Sequence, residues 1–557
     1  MYDGGSMAST PRLSGLALRS LARLARSKLG GLALQRVLRS ELNVDALDAL
    51  PDSARGEVPL DTRPLAGRPP RKGDDANLPP PRGAWAGTSD AFVAAYREGR
   101  ITPTEVVTRA LSSARSLAAG TPSVGPILDF ADGAALFDAA EATERYKRGA
   151  ARGPLDGVPF AVKECTAVRG MPRRVGTAFA SGAPCAEDAT CVARLRALGA
   201  IVIGTTMMTE YGMTPTGVNS KRTMPRNPHA TGCMAGGSST GSGVAVATGL
   251  VPIALGADGG GSIRIPAALN GVFGIKPTWG RITRHGDASS GSVSHLGPLA
   301  SSALDLARVL EATGARDEAD PETWRAPAIP PGSLVQALGR GVRGLVVGVE
   351  EGEWRDASPA VARAGQDALR ALEKEGARLL GVSVPLARFA APIGYVSIAV
   401  EARAALRQEW RDHADDMSDD LQISFAALQA FTALEYVDTQ RLRAGLRREL
   451  AEMFGSVDLL ALPSTACTAA GVSDAEMSGG FLDAKLLDAL CRYAFLGNLS
   501  GLPAASMPVG RDARDLPIGL QLVGDAWDEA TVLAAVAHLE RIGVARVERP
   551  RVSVQVL

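Results

Sequence analysis

Two glycine–serine segments, Gly236-Gly237-Ser238-Ser239-Thr240-Gly241-Ser242 and Asp258-Gly259-Gly260-Gly261-Ser262-Ile263-Arg264-Ile265-Pro266, enclose an apolar run from Val244 to Leu255. A flexible linker would not enclose a core stretch of that kind. Three consecutive glycines before a serine let bare N–H groups converge on one point, which suits the oxyanion of an acyl-transfer intermediate. A serine nucleophile then needs a base. The chain has only five His, so lysine is the next candidate. Lys163 ends the run Leu155-Asp156-Gly157-Val158-Pro159-Phe160-Ala161-Val162-Lys163. Burial there would disfavour the ammonium and lower its pKa from about 10.4 toward neutrality, where the amine accepts a proton. A lysine at a strand end also reads as a surface lysine, and the run alone leaves both readings open.

Other chemistries lack their residues. His229, His285, His295, His413 and His538 show no HxxxH pairing and sit in no Cys, Asp or Glu cluster suited to zinc, so no metal is expected. There is no GxxxxGK[ST] phosphate loop. Gly236-Gly237 and Gly259-Gly260-Gly261 lack the context of a dinucleotide fingerprint, so no cofactor is expected. Lys+Arg and Asp+Glu are 60 each, and this balance argues against a nucleic-acid partner. The six Cys form no CxxC, and free thiols in a reducing compartment are expected.

The elements that must position these residues alternate. Strand-like runs at Val158–Val162, Ile201–Ile203, Val251–Leu255 and Leu345–Val349 are separated by helical patterns. Those patterns include Ala91–Glu98, Pro103–Ala118 with Thr102 as N-cap, Ala134–Arg148, Thr190–Leu198 and Pro359–Gly376. Alternation in 557 residues with 46% apolar content predicts an α/β fold with a mostly parallel sheet covered by helices on both faces. Pro51 to Pro81 reads as an extended linker. Residues 1–40 hold seven basic residues and one acid. Leu13, Leu16, Ala17, Leu21 and Leu24 recur at helical spacing opposite Arg12, Arg19, Arg23 and Arg26. Gly30-Gly31 is expected to break the pattern before Leu34, Val37, Leu38 and Leu42 restart it. Two short amphipathic helices follow from this. They read as a cap on the main domain, as a surface for anionic membrane, or as an organellar transit peptide. No run reaches the roughly 20 residues of a spanning helix. The basic N-terminus lacks the compact apolar run and cleavage site of a secretory signal, so a cytoplasmic protein is expected, with peripheral membrane contact as the extension of that reading.

The pattern resembles the amidase signature family of serine hydrolases over about residues 89–545. Besides the two segments and the lysine strand it includes Arg226-Asn227-Pro228, Gly297-Pro298-Leu299, Asn498-Leu499-Ser500-Gly501-Leu502-Pro503 and Leu516-Pro517-Ile518-Gly519-Leu520-Gln521. In that family a serine on a cis peptide and the nucleophile lie 24 positions apart, as Ser238 and Ser262 do. The resemblance implies an amidase signature fold with a large mixed sheet. It assigns Lys163 as base, Ser238 as bridging serine and Ser262 as nucleophile. Gly259, Gly260, Gly261 and the Ser262 backbone match the oxyanion-hole segment, and Ser239, Asp258 and Arg264 match supporting positions. Ala235 stands where the family often has Pro, and Ala257-Asp258-Gly259 where Thr-Asp-Thr is common. These departures bear on substrate preference and remove no catalytic side chain.

Within the family the chain is similar to the plant-type fatty acid amide hydrolases. The shared features are the N-terminal helical extension (1–84, ahead of a catalytic domain over 85–557), Asp258 to Ser262, Gly297 to Ser302 and Trp527 to Leu533. That resemblance implies hydrolysis of N-acylethanolamines or other long-chain acyl amides, a lipid or small-molecule amide as partner, membrane contact through residues 12–42 and a homodimer. With aromatics at 4%, an acyl tunnel would be lined by Met and aliphatic side chains, with Met207, Met208 and Met213 as candidates. Aryl amides, carbamates or small amides are the alternative substrates. An inactive scaffold and one component of a transamidosome are further readings.

Overall fold

Along Leu459 to Leu462 the side chains alternate between two cores. Leu459 and Ala461 join one buried cluster, Leu460 and Leu462 the other. A strand flips successive side chains to opposite faces, so the sheet that contains it is packed on both sides. The computed structural model describes residues 12–56, 77–79, 85–289, 291–428 and 431–557.

The strands, in chain order, are β1 (Leu13–Ser14), β2 (Ile127–Phe130), β3 (Pro159–Lys163), β4 (Ile201–Thr206), β5 (Ile253–Asp258), β6 (Phe273–Lys276), β7 (His295–Ala300), β8 (Val346–Val349), β9 (Arg378–Gly381), β10 (Leu459–Pro463), β11 (Phe481–Leu482), β12 (Ala504–Arg511) and β13 (Pro517–Gly524). Eleven of them form one sheet in the order β2-β4-β3-β5-β7-β6-β12-β13-β10-β8-β9. β3, β4 and β5 are buried along their whole length, which their Val, Ile and Ala content allows.

The mixed α/β sheet is the one expected, but parallel pairing is less prevalent than the alternation suggested. Among the described residues four of the ten strand pairs are parallel, β3–β4, β3–β5, β10–β8 and β8–β9. The middle, from β5 through β7, β6, β12 and β13 to β10, is antiparallel. Short links explain part of this. β12 and β13 are joined by the turn 512–516, tied by the Asp512 N–H to Leu516 O at 2.9 Å, and a connection that short can only reverse direction.

The helix boundaries follow their caps. Pro103–Ala119 starts at Thr102, whose hydroxyl accepts from the Glu105 N–H while Glu105 accepts from the Thr102 N–H, a reciprocal capping box. The N-terminal segment forms α1 (Gly15–Ala25) and α2 (Lys28–Glu41). The break falls at Arg26-Ser27, not at Gly30-Gly31. Ser27 Oγ donates to Leu24 O at 2.8 Å and accepts from the Gly30 N–H at 3.0 Å, serving both helix ends. Gly30 lies where α2 crosses Leu24 so closely that a Cβ would clash with the Leu24 carbonyl at 2.0 Å.

The face of α1 that packs also differs from the leucine stripe. Leu18, Ala22 and Ala25 are buried, with Leu34 of α2, against Ile423 and Ala426 of the helix Asp419–Leu428. Leu16 is 80% exposed and Leu24 53%. Ala22 and Ala25 let α1 approach its partner helix closely, Leu13 and Leu21 pack at the edge of this cluster, and Leu16 and Leu24 are left outside. β1 pairs with β11 in the same region. The Pro51–Pro81 linker falls largely outside the described residues.

Candidate active site

Lys163 is the last residue of β3 and Asp258 the last residue of β5, adjacent strands in register. Ser238 precedes the helix Thr240–Ala247, and Ser262 precedes the helix Arg264–Asn270. The Ser239 N–H donates to Ser262 O at 3.2 Å and joins the two segments. Ser239 Oγ donates to Ala257 O at 3.1 Å and accepts from the Ala257 N–H at 3.3 Å.

Lys163 and Ser238 are brought together. Nζ lies 2.7 Å from Ser238 Oγ and 3.3 Å from Ala257 O. The side chains are buried, at 1% and 2% exposure, which decides between the surface lysine and the desolvated one. Burial lowers the Lys163 pKa from its ordinary value, against the opposing charges of Asp287, Asp258 and Glu164. The peptide between Gly237 and Ser238 is cis. Ser262 and Gly259 are partly accessible while Asp258, Gly260, Gly261 and Ile263 are buried. Among the described residues no hydrogen bond joins the Ser238 and Ser262 hydroxyls.

The loop after β5 is fixed by a buried ion pair. Arg264 Nε and Nη2 donate to Asp258 Oδ2 and Oδ1 at 3.0 and 2.9 Å. Both side chains are fully buried. Burial alone would raise the Asp258 pKa. The Arg264 charge, with hydrogen bonds from Arg264, Asn498 and Gly261, overcomes this and holds the carboxyl well below the usual carboxylate range. The remaining Arg264 donors reach Ala494 O, Gln521 Oε1 and Asn498 Oδ1 at 2.8, 2.6 and 2.6 Å. Asp258 also accepts from the Gly261 and Ile263 N–H groups at 2.7 and 3.1 Å. The Gly261 N–H is therefore already committed. Among the described residues the N–H groups of Gly259, Gly260 and Ser262 carry no protein partner, and these are the donors left to meet an oxygen.

Asn498 and Gln521 were missed as members of this network, although both lie in sequence motifs noted above. Asn498 Nδ2 also donates to Asp258 O at 2.9 Å and Val293 O at 3.0 Å. No spacing signals them, because they lie 234 and 257 positions from Arg264.

Ser262 and Gly260 open on a cavity of about 220 Å³. Its walls include Tyr395, Ile398, Ala399 and Phe495 from the body and Leu13, Leu21, Leu34, Val37 and Leu42 from the N-terminal segment. Met213 is part of the wall, whereas Met208 is buried in the main core and Met207 is not among the lining residues. Tyr395, Phe431, Phe481 and Phe495 make the cavity richer in aromatics than the composition suggested. A low overall content does not stop a fold from gathering its few rings in one place.

The amidase family model matches residues 107–533. A fatty acid amide hydrolase of Medicago truncatula is 33% identical, over 97% of this chain and 94% of the relative. Another fatty acid amide hydrolase, of Arabidopsis thaliana, is 32% identical over 81% of this chain and 75% of the relative. Among solved structures, a bacterial aryl acylamidase of the amidase signature enzymes superposes with a TM-score of 0.72 at 26% identity, covering 82% of this chain and 96% of the other. The chain belongs to the amidase signature family and is an amide-hydrolysing enzyme.

Proposed function

We propose that the chain hydrolyses fatty acid amides such as N-acylethanolamines through an acyl-enzyme on Ser262. The observation that carries this reading is the apolar cavity that reaches Ser262 and takes one wall from the N-terminal helices. The similarity to a plant fatty acid amide hydrolase over almost the whole chain, extension included, supports it.

In this reading neutral Lys163 takes the Ser238 proton as Ser238 takes the Ser262 proton. Ser262 Oγ bonds to the acyl carbon, and the oxyanion is met by the free N–H donors of Gly259, Gly260 and Ser262. The proton returns through Ser238 to the departing amine as the C–N bond breaks. A water then attacks the ester along the same relay, and the fatty acid leaves with Ser262 restored. The 2.7 Å contact and the lowered lysine pKa support the first link. The second link would close when substrate orders the Ser262 hydroxyl, since catalytic hydrogen bonds are often loose in an empty site. Asp258, Arg264 and Ser239 hold the loop and touch no reacting atom.

Of the extension proposed over residues 1–84, ahead of the catalytic domain 85–557, the described helices α1 and α2 act as a cap and also as the membrane contact. Exposed Leu16, Leu24 and Val37 beside exposed Arg19, Arg23 and Arg36 support an anionic membrane surface as the partner of residues 12–42. Among the described residues no single helix is long and apolar enough to cross a membrane, and a peripheral enzyme of the cytoplasm, acting as a homodimer, is the form proposed. Sedimentation with anionic vesicles tests the contact: Leu16→Asp with Leu24→Asp should abolish binding, and unchanged binding overturns it.

The four cavity aromatics favour aryl amides as the second reading. Release of free acid from amides of increasing acyl length, with Ser262→Ala as control, separates the two. Turnover that rises with acyl length supports the lipid reading. Turnover of short aryl amides alone overturns it.

A further inference from the structure

Glu210 is 3% exposed and the relay does not use it. It opens a short turn, Glu210–Gly212, four residues after β4. Its Oε2 accepts from the Ser418 N–H at 2.9 Å and from Ser418 Oγ at 2.7 Å. Its Oε1 is buried with no protein partner. Burial raises the pKa of this carboxyl. A buried acid satisfied on one oxygen alone costs stability, which its two bonds to Ser418 offset in part.

Those two bonds cross between two working parts. On one side, Ser418 stands just before the helix Asp419–Leu428, whose Asp420, Ile423 and Ser424 line the cavity. Ile423 and Ala426 of that helix also seat α1 and α2. On the other side, Gly212 packs on the Ser238 hydroxyl. A Cβ at Gly212 would stand 3.1 Å from Ser238 Oγ. Its φ of +72° lies in the left-handed region, where side chains are disfavoured. Tyr211 has φ +50° as well. A tyrosine there is strained and persists only where its surroundings impose it. The Tyr211 N–H to Val175 O bond at 2.9 Å and the Gly212 N–H to Thr209 O bond at 2.9 Å are part of that imposition.

We propose that Glu210 is a positioning residue whose bonds to Ser418 fix the turn that sets Gly212 against Ser238, and so tie the relay to the helix on which the N-terminal segment sits. The inference rests on the relay reading of Lys163, Ser238 and Ser262. In consequence, whatever shifts the Asp419–Leu428 helix, such as a chain entering the cavity or a surface meeting α1 and α2, alters the setting of the Ser238 hydroxyl.

The test is the rate of fluorophosphonate labelling at Ser262, mapped by peptide analysis. It is read beside kcat and KM on a short soluble amide, for wild type, Glu210→Ala, Glu210→Gln, Ser418→Ala and the double Ala variant. Glu210→Ala should lower both the labelling rate and kcat by about tenfold or more with KM within about twofold, the pattern of a displaced reacting group. Glu210→Gln can accept the same two bonds and should recover most of the loss. The double variant should be no slower than Glu210→Ala alone, since both changes cut one link. Should Glu210→Ala fail to fold, Ser418→Ala, which keeps the backbone bond, decides. Folded variants that label at the wild-type rate, or a Gln variant as slow as Ala, overturn the inference alone. An unlabelled Ser262 in the wild type overturns the relay reading and takes the inference with it.

Discussion

The Lys163 amine and the Ser238 hydroxyl stand 2.7 Å apart, both almost wholly withdrawn from water. A charged ammonium would be disfavoured there, and a neutral amine that accepts the serine proton is favoured. Substitution should grade accordingly. Ser262→Ala should abolish acid release from an N-acylethanolamine, Lys163→Ala should cost about a thousandfold or more in kcat, and Ser238→Ala should fall between. Steady-state kinetics on the three variants checks the order.

Replacing Lys163 should stabilise the fold while it removes activity. The lysine pKa is lowered in the folded state, so the unfolded chain binds the extra proton and stability rises with pH up to the ordinary lysine range. Lys163→Met should therefore raise the denaturant midpoint more at pH 6 than at pH 10. Equal gains at both pH values would show that the lysine is not desolvated. The same sign gives wild-type kcat/KM an acid limb, with activity falling as pH drops and Lys163 takes up its proton.

The Asp258–Arg264 pair is fully buried, and cutting one half leaves a charge without its partner. Arg264→Ala should destabilise the protein by about 3–5 kcal/mol in denaturant titration. The Asp258 pKa is lowered on folding. Its contribution is thus present above the ordinary carboxylate pKa and lost as pH falls below it.

Glu540 points the opposite way. It accepts the Ala303 N–H at 3.0 Å, and burial, with the Asp305 carboxyl near by, pushes its pKa up to about 8. The folded protein keeps a proton that the unfolded chain releases, so stability falls as pH rises from the ordinary glutamate value to about 8, and the loss is complete above that. Glu540→Gln should keep the bond and flatten the decline in thermal midpoint between pH 6 and 9. An unchanged decline would place its cause elsewhere.

The cavity predicts a change of selectivity. Ile398 lines it and stands beside Gly259. Ile398→Trp should raise KM for long-chain amides by about tenfold and leave a short aryl amide within about twofold, the effect of filling a packed space. Parallel losses on both substrates would mean that long chains do not occupy this cavity.

The residue sequence by itself determined the chemical groups and the elements that carry them. The lysine strand, the two glycine–serine segments, their spacing and the Thr102 cap are written in neighbouring residues, because strand periodicity, capping and backbone freedom act over a few positions. The observed β3, β4 and β8 begin within one residue of the expected runs, and β5 begins two residues after its expected start.

Only the tertiary structure decided which face of α1 is buried, that the centre of the sheet runs antiparallel, that four aromatics line the cavity on which Ser262 opens, and that Asn498 and Gln521 complete the hold on Arg264. Each depends on residues far apart in the chain. α1 offers more than one apolar stripe, and the packing of Ile423 and Ala426 selects among them. Arg264 carries more donors than Asp258 can accept, and the partners that take the rest are brought to it by other strands and helices. Local sequence fixes what a residue can do. Which partner it meets is settled by the long-range contacts that close the core.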